Sequence, residues 1–157
     1  MAADNRGAAA VWTSTDGLSW QRIEHDEALF STSNGQVFID SVTAGGPGLV
    51  AVGRDGGRNA AAVWTSTDGL SWHRVVPDES VTAGSHLRSV TVGGPGLVAV
   101  GRDGDTAAVW TSVDGIAWQR VPSDGIVSGD GRRWMRSVTV GGPGLVAVGG
   151  DGVWISP

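Results

Sequence analysis

The side chains in this chain that could bind or react recur at matching positions. Arg54 and Arg102 close two copies of Leu-Val-Ala-Val-Gly-Arg, while Arg88 and Arg136 each stand directly before Ser-Val-Thr-Val. Guanidinium forks at repeated positions suit a carboxylate, sulfate or phosphate, to which they can donate paired hydrogen bonds. Phe38, His86 and Trp134 form a third matching set just upstream, and aromatic faces beside arginines could stack on a sugar or another planar ligand. The plain alternatives are a solvated rim, with Arg54 and Arg102 paired to the adjacent Asp55 and Asp103, and ordinary packing of the aromatic rings.

Groups for catalysis or metal binding are scarce. There is no cysteine, which removes thiol nucleophiles, disulfides and cysteine-based zinc sites. Glutamate occurs only at 24, 27 and 79, in or next to variable segments and without a partner in the sequence. His25, His73 and His86 show no metal-ligand spacing, so two read as loop residues and His73 as a rim residue. Asp16, Asp68 and Asp114 lack the alternating acidic ligands that a calcium loop needs. No metal and no cofactor is expected.

The elements that carry these residues are repeats. AAVWTSTDGLSWQR at 9–22 returns as AAVWTSTDGLSWHR at 61–74 and AAVWTSVDGIAWQR at 107–120, with a stub, VWIS, at 153–156. Between them SVTAGGPGLVAVGRDG at 41–56 recurs at 89–104 and 137–152 with small changes. The first Trp of each unit falls at Trp12, Trp64, Trp110 and Trp154, spacings of 52, 46 and 44 residues, in the range of one four-stranded propeller blade. Ordered repetition, with 8 Trp, accounts for 26 Gly in 157 residues better than disorder does.

Each unit reads as four short strands, with no helix-period stretch. The Asp-Gly pairs predict hairpins with type I′ turns, making Gly17, Gly69 and Gly115 structural. GGPG at 45–48, 93–96 and 141–144 closes the other hairpin. It is a turn and not a phosphate cradle, because no helix start follows it. The chain reads as a single β-propeller segment, 1–157, with units of approximately 1–37, 38–85, 86–133 and 134–157, partial at both ends.

At the Asp-Gly hairpin the sequence resembles a known family. Ser14-Thr15-Asp16-Gly17-Leu18-Ser19-Trp20, Ser66 to Trp72 and Ser112 to Trp118 are similar to the Asp-box, or BNR, repeat of sialidases and sortilin-like receptors. The usual pattern is Ser-x-Asp-x-Gly-x-x-Trp, and here one residue is missing between Asp and Gly. The resemblance implies an all-β propeller of four-stranded antiparallel blades. In it Ser14, Asp16, Gly17 and Trp20 cap a hairpin between third and fourth strands, as do Ser66, Asp68, Gly69 and Trp72, and Ser112, Asp114, Gly115 and Trp118. It also implies that the box lies on the face away from any ligand. The opposite face carries nearly all the divergence between copies, including the segments around Arg54, Arg102, Arg88, Arg136, Trp134, Phe38 and His86, and is where a ligand is expected. Sialidase chemistry in that family needs a Tyr nucleophile paired with a Glu, and this chain has no Tyr. The expectation is therefore a non-enzymatic scaffold or binding module for a glycan, an anion or a protein. A sialidase-like glycoside hydrolase, or an inactive remnant of one, is the alternative.

Two whole blades and two partial ones make about three blade equivalents, and propellers generally close with four or more. Closure is expected in trans, with six blades from a homodimer preferred over nine from a homotrimer. Val153-Trp154-Ile155-Ser156 duplicates Val11-Trp12-Thr13-Ser14, so two segments compete for one third-strand position at each junction. The near identity of the copies fits recent natural amplification, an excised segment of a longer array or an engineered repeat, and the irregular loops favour a natural origin over an idealised design. A net charge of −5 disfavours nucleic acid. The absence of a long apolar run disfavours a membrane, and MAADNRG lacks the apolar core of a secretory signal. A soluble chain is expected, and its compartment stays open.

Overall fold

The computed structural model describes residues 8–24, 27–31, 35–76, 81, 84–94, 96–122, 134–142, 144–150 and 152–156. These form four antiparallel sheets, each with its strands in chain order. The first holds β1 (Trp12–Thr13) and β2 (Gln21–Arg22), and a helical turn, α1 (Glu27–Phe30), follows. The second sheet is β3 (Val37–Gly45), β4 (Gly48–Asp55), β5 (Ala60–Ser66) and β6 (His73–Val75). The third is β7 (Ser85–Gly93), β8 (Gly96–Asp103), β9 (Thr106–Ser112) and β10 (Gln119–Arg120). The fourth is β11 (Met135–Gly141), β12 (Gly144–Gly149) and β13 (Gly152–Ser156).

The middle strands read as unbroken apolar runs because both faces of a blade are covered by packing. Val50, Ala51 and Val52 are all buried, as is every residue of β5. Val50, Val52 and Val63 pack toward Val90, Leu97, Ala99 and Trp110 of the next blade. Ala51, Ala62, Trp64 and Trp72 form a separate cluster on the opposite face with Phe30. Val100 and Ala107 meet Met135, Val138 and Ala147 in the same way.

The first strands β3, β7 and β11 are neighbours, tied by a repeated bond. The Ser41 hydroxyl accepts the Val90 N–H at 3.2 Å, and the Ser89 hydroxyl accepts the Val138 N–H at 3.1 Å.

Three expectations change. The Asp-Gly hairpins are not type I′ turns, which need positive φ at both central residues. Gly17, Gly69 and Gly115 have φ of 74°, 76° and 77°, while their aspartates do not have positive φ. In the second sheet the loop runs from Ser66 to Trp72, because Thr65 pairs with His73. The second change is α1, a single turn in a segment read as loop. It buries Phe30 against Trp64, ring centroids 5.8 Å apart, and lets Trp64 Nε1 donate to the Leu29 carbonyl at 3.1 Å. The third concerns Phe38 and His86, which lie inside β3 and β7 and not ahead of them.

Gly46, Gly94 and Gly142 share a φ of 59° at the first central position of the other hairpin, as a type II′ turn requires. A Cβ on Gly46 would meet the Asp114 carbonyl at 2.8 Å, which puts this turn beside the Asp-Gly turn of the next blade, on one face. Pro95, Pro143, His25, Glu79 and the variable segments 77–80 and 123–133 lie outside the described residues.

Candidate ligand face at the heads of the inner strands

Each inner strand carries one extra residue near its start. The pairing of β3 with β4 shifts between Ile39 and Ser41, that of β7 with β8 between Leu87 and Ser89, and that of β11 with β12 between Met135 and Ser137. The bulged residues are therefore Asp40, Arg88 and Arg136. A bulge leaves a residue out of the ladder and re-aims its side chain. The glycines opposite, Gly53, Gly101 and Gly149, make room for it, because a Cβ at each would run into the carbonyl of Phe38, His86 or Trp134.

These bulges join the sequence-nominated residues across blades. His86 is 2 % exposed, and its Nε2 lies 2.9 Å from Asp40 Oδ2 on the preceding blade. Arg88 Nη1 lies 3.8 Å from Asp40 Oδ1. Arg54, the ladder partner of Phe38, holds its guanidinium 4.4 Å from the centre of that ring. Arg102, the ladder partner of His86, reaches the next blade and sits 5.1 Å from the Trp134 ring centre. It also donates from Nη1 to the Gly104 carbonyl at 2.8 Å. Arg136 is exposed, and no contact among the described residues ties it to the others. The reading of His86 as a solvated loop residue is thus overturned, since burial and the Asp40 carboxylate hold it. His73 is exposed on β6, and Glu24 is exposed after β2.

Pairing of Arg54 and Arg102 with their neighbouring aspartates is not found among the described residues, because those carboxylates take other partners. Asp55 accepts from Arg74 Nη2 at 2.6 Å and Arg58 Nη1 at 3.4 Å, and Asp103 faces Arg120 Nε at 3.0 Å. Burial pushes the Asp55 carboxyl up, but the Arg74 bond and the Arg58 N–H outweigh it and leave the group below its ordinary range. Meanwhile Arg54 Nε, Arg88 Nε, Arg102 Nε, His86 Nδ1 and Trp134 Nε1 are buried without a hydrogen-bond partner. Five such atoms at one end of three adjacent sheets are unusual in a stable fold, with Trp110 Nε1 and Arg120 Nε in the same state elsewhere. One face of Phe38 and one of Trp134 are taken by guanidinium, so rim packing and ligand stacking share the same rings. A hollow of about 230 Å³ beside Phe38 is lined by Ala8, Ala9, Ala10, Gln36, Val37, Phe38 and Ile39, none of them titratable.

Asp40 was not singled out from the sequence. The signal was present, because Asp40 stands where Arg88 and Arg136 stand in the other copies.

The Ser-x-Asp-Gly turns use up their own chemistry. In the second sheet the Asp68 carboxylate accepts from Ser71 N at 2.7 Å and Leu70 N at 2.8 Å, while the Ser66 hydroxyl accepts from Gly69 N at 2.8 Å. Trp72 Nε1 donates to the Gly69 carbonyl at 3.1 Å. The first and third turns repeat this pattern, with Trp20 and Trp118 donating to Gly17 and Gly115. The N–H groups of Ser71 and Leu70 hold Asp68 down to about 2, and those of Ser19 and Leu18 do the same for Asp16. Asp114 is lowered by Ile116 and Ala117 N–H. Among the described residues no group of three His, Asp or Glu is placed to hold a metal ion.

Four-stranded antiparallel blades in chain order, packed through their first and second strands, define a β-propeller. The family model of the DUF6242 beta propeller domain matches residues 1–132, and the chain belongs to that family. No curated protein and no solved structure matches it.

Proposed function

We propose that this propeller is a non-catalytic binding module of Asp-box type whose variable-loop face takes a glycan bearing an anionic group. The observation that carries the reading is the pair Arg54 and Arg102, held over Phe38 and Trp134 and unpaired with Asp55 and Asp103. A guanidinium fixed on an aromatic face keeps its outer edge for a carboxylate or sulfate, while the ring edge beside it is apolar enough for a sugar. Arg88 and Arg136, re-aimed by their bulges, add charge to the same end of the sheets. The positive groups collect there although the chain as a whole is at −5, which favours anion capture. Asp-box type rests on the three Ser-x-Asp-Gly turns and their Trp–carbonyl bonds.

The reading as a non-enzyme rests on occupancy. Asp40, Asp55 and Asp103 face basic partners, the turn aspartates accept backbone N–H groups, and there is no tyrosine. The test is a glycan and anion array with the unmodified chain and with Arg54→Ala plus Arg102→Ala. Signal on sulfated or carboxylated glycans that the double variant loses supports the reading, whereas no signal, or one that the variant retains, overturns it. Turnover of a fluorogenic sialoside above buffer would replace it with the hydrolase alternative.

Self-assembly is the second part, favoured by one comparison. Val90 and Val138 are 5 % and 7 % exposed under the preceding blade, but the matching Val42 is 57 % exposed. A second copy of this chain, presenting its last sheet, is the natural cover. The homodimer gives six blades and the homotrimer nine.

A further inference from the structure

Resting on the ligand face proposed above, we infer that the anion is held at a single junction between blades, where β7 and β8 meet the head of β11, and that it is a sulfate or phosphate ester on a sugar.

The two described junctions between inner strands share one backbone frame. The Ser41 hydroxyl of β3 accepts the Val90 N–H of β7, and the Ser89 hydroxyl of β7 accepts the Val138 N–H of β11. The second junction is therefore the first moved on by one blade, and the residue at each place can be read across. At the first, the bulged Asp40 faces the next blade, with Oδ2 2.9 Å from His86 Nε2 and Oδ1 3.8 Å from Arg88 Nη1. That junction carries its own negative group, which repels an incoming anion. At the second, Arg88 stands in the place of Asp40, Trp134 in that of His86 and Arg136 in that of Arg88. Two guanidinium groups and an indole N–H are all donors, with no acceptor among them.

The donors at the second junction lack partners. Arg88 Nε, Arg102 Nε and Trp134 Nε1 are buried and make no hydrogen bond. The contact of Arg88 with Asp40 is too long for one. Arg102 belongs to this junction because its guanidinium crosses to Trp134, 5.1 Å from the ring centre, whereas Arg54 stays over Phe38 of its own blade at 4.4 Å. Buried donors without acceptors are costly, and a bound anion supplies the acceptors.

Room for the sugar comes from a substitution on the opposite strand. Gly150 stands where the other copies have Arg54 and Arg102. Its N–H donates to the Trp134 carbonyl at 3.3 Å, and a Cβ there would meet nothing within 4 Å. The space beside Trp134 that an arginine would fill is thus open. The Arg88 side chain is 34 % exposed and Arg102 is half-buried, so both heads can turn toward a ligand. Arg88, Arg102 and Trp134 approach from three different strands. A carboxylate offers two oxygens in one plane, while a sulfate or phosphate ester presents three on a tetrahedral face, one for each donor.

The probe is galactose 6-sulfate, titrated calorimetrically beside galactose 6-phosphate and galacturonate. One ester should bind per chain, with galacturonate weaker by about tenfold or more. In nitrogen–proton spectra of the unmodified chain, the indole signal that Trp134→Phe removes should move when the ester is added. Trp134→Phe keeps an aromatic ring under Arg102 but loses the N–H, and should weaken binding by about tenfold or more. Arg88→Asp gives the second junction the carboxylate of the first and should abolish binding. An unmoved Trp134 indole signal, together with unchanged affinity of Trp134→Phe, would overturn the junction while leaving the ligand face in place. Two esters per chain would overturn the assignment to one junction, and galacturonate binding as tightly as the esters would overturn the tetrahedral group. No binding of the three probes alongside a positive glycan array overturns this inference alone, whereas silence in both overturns the ligand face as well.

Discussion

Replacing Gly101 with alanine tests whether the bulges that aim the ligand face depend on the glycine opposite. The added Cβ would overlap the His86 carbonyl oxygen and would lie 3.0 Å from the His86 carbonyl carbon and 3.1 Å from Leu87 Cα. All three atoms are backbone, so no side chain can swing away and β7 itself must move. Overpacking of this kind costs about 1–3 kcal/mol, and backbone obstruction puts Gly101→Ala at the upper end, about 3 kcal/mol. For a chain of this length that lowers Tm by about 6–12 °C. Gly150→Ala is the control, because a Cβ there meets nothing within 4 Å, its φ is not positive, and the other copies carry Arg54 and Arg102 at the same place. It should leave Tm within about 2 °C or raise it slightly. Thermal unfolding followed by near-ultraviolet circular dichroism reports the tryptophan packing and hence the blades. Equal Tm values for the two variants would refute the claim that glycine makes room for the bulge. So would a Gly101→Ala protein as stable as the unmodified one.

Further expectations follow from the charged and hydroxyl groups. Asp16 and Asp68, held at about 2 by backbone N–H groups and so below the ordinary 3.8, with Asp114 lowered too, contribute stability in their ionised form. That contribution is complete above the unfolded value near 4 and is lost as the pH falls through about 2, so Tm should drop steeply across that window. Asp68→Asn should flatten the drop. Asp55→Ala leaves the largely buried Arg74 without its carboxylate and should cost about 3 kcal/mol in urea unfolding. Ser89→Ala orphans the buried Val138 N–H and should cost about 1–2 kcal/mol.

Much of the fold was legible because its signals are local and repeated. Each blade announces itself by two hairpins and a period near that of a propeller, and one misread turn type did not alter the strand count. The turn was misread because Asp-Gly is scored as a two-residue hairpin, whereas the Ser66 hydroxyl and Asp68 carboxylate organise a longer loop. α1 was missed since four residues carry no periodicity. The candidate site was legible as a set of positions and not as a set of contacts. Arg54, Arg102, Phe38 and Trp134 were nominated, but the alternative pairing of Arg54 with Asp55 failed because Arg74, from another strand, reaches that carboxylate first.

The sequence by itself determined the strand order within each blade, the places of both hairpins and which segments vary between copies, since all of these depend on neighbours along the chain. Only the tertiary structure decided what Asp40 does. It is one residue among several acidic ones until the bulge turns it toward His86 and Arg88 of another blade. The bulge needs the Gly53 backbone opposite, and the partners need two sheets packed side by side. Such a contact depends on register between strands and rotation between blades, and neither is written in the spacing of any single strand.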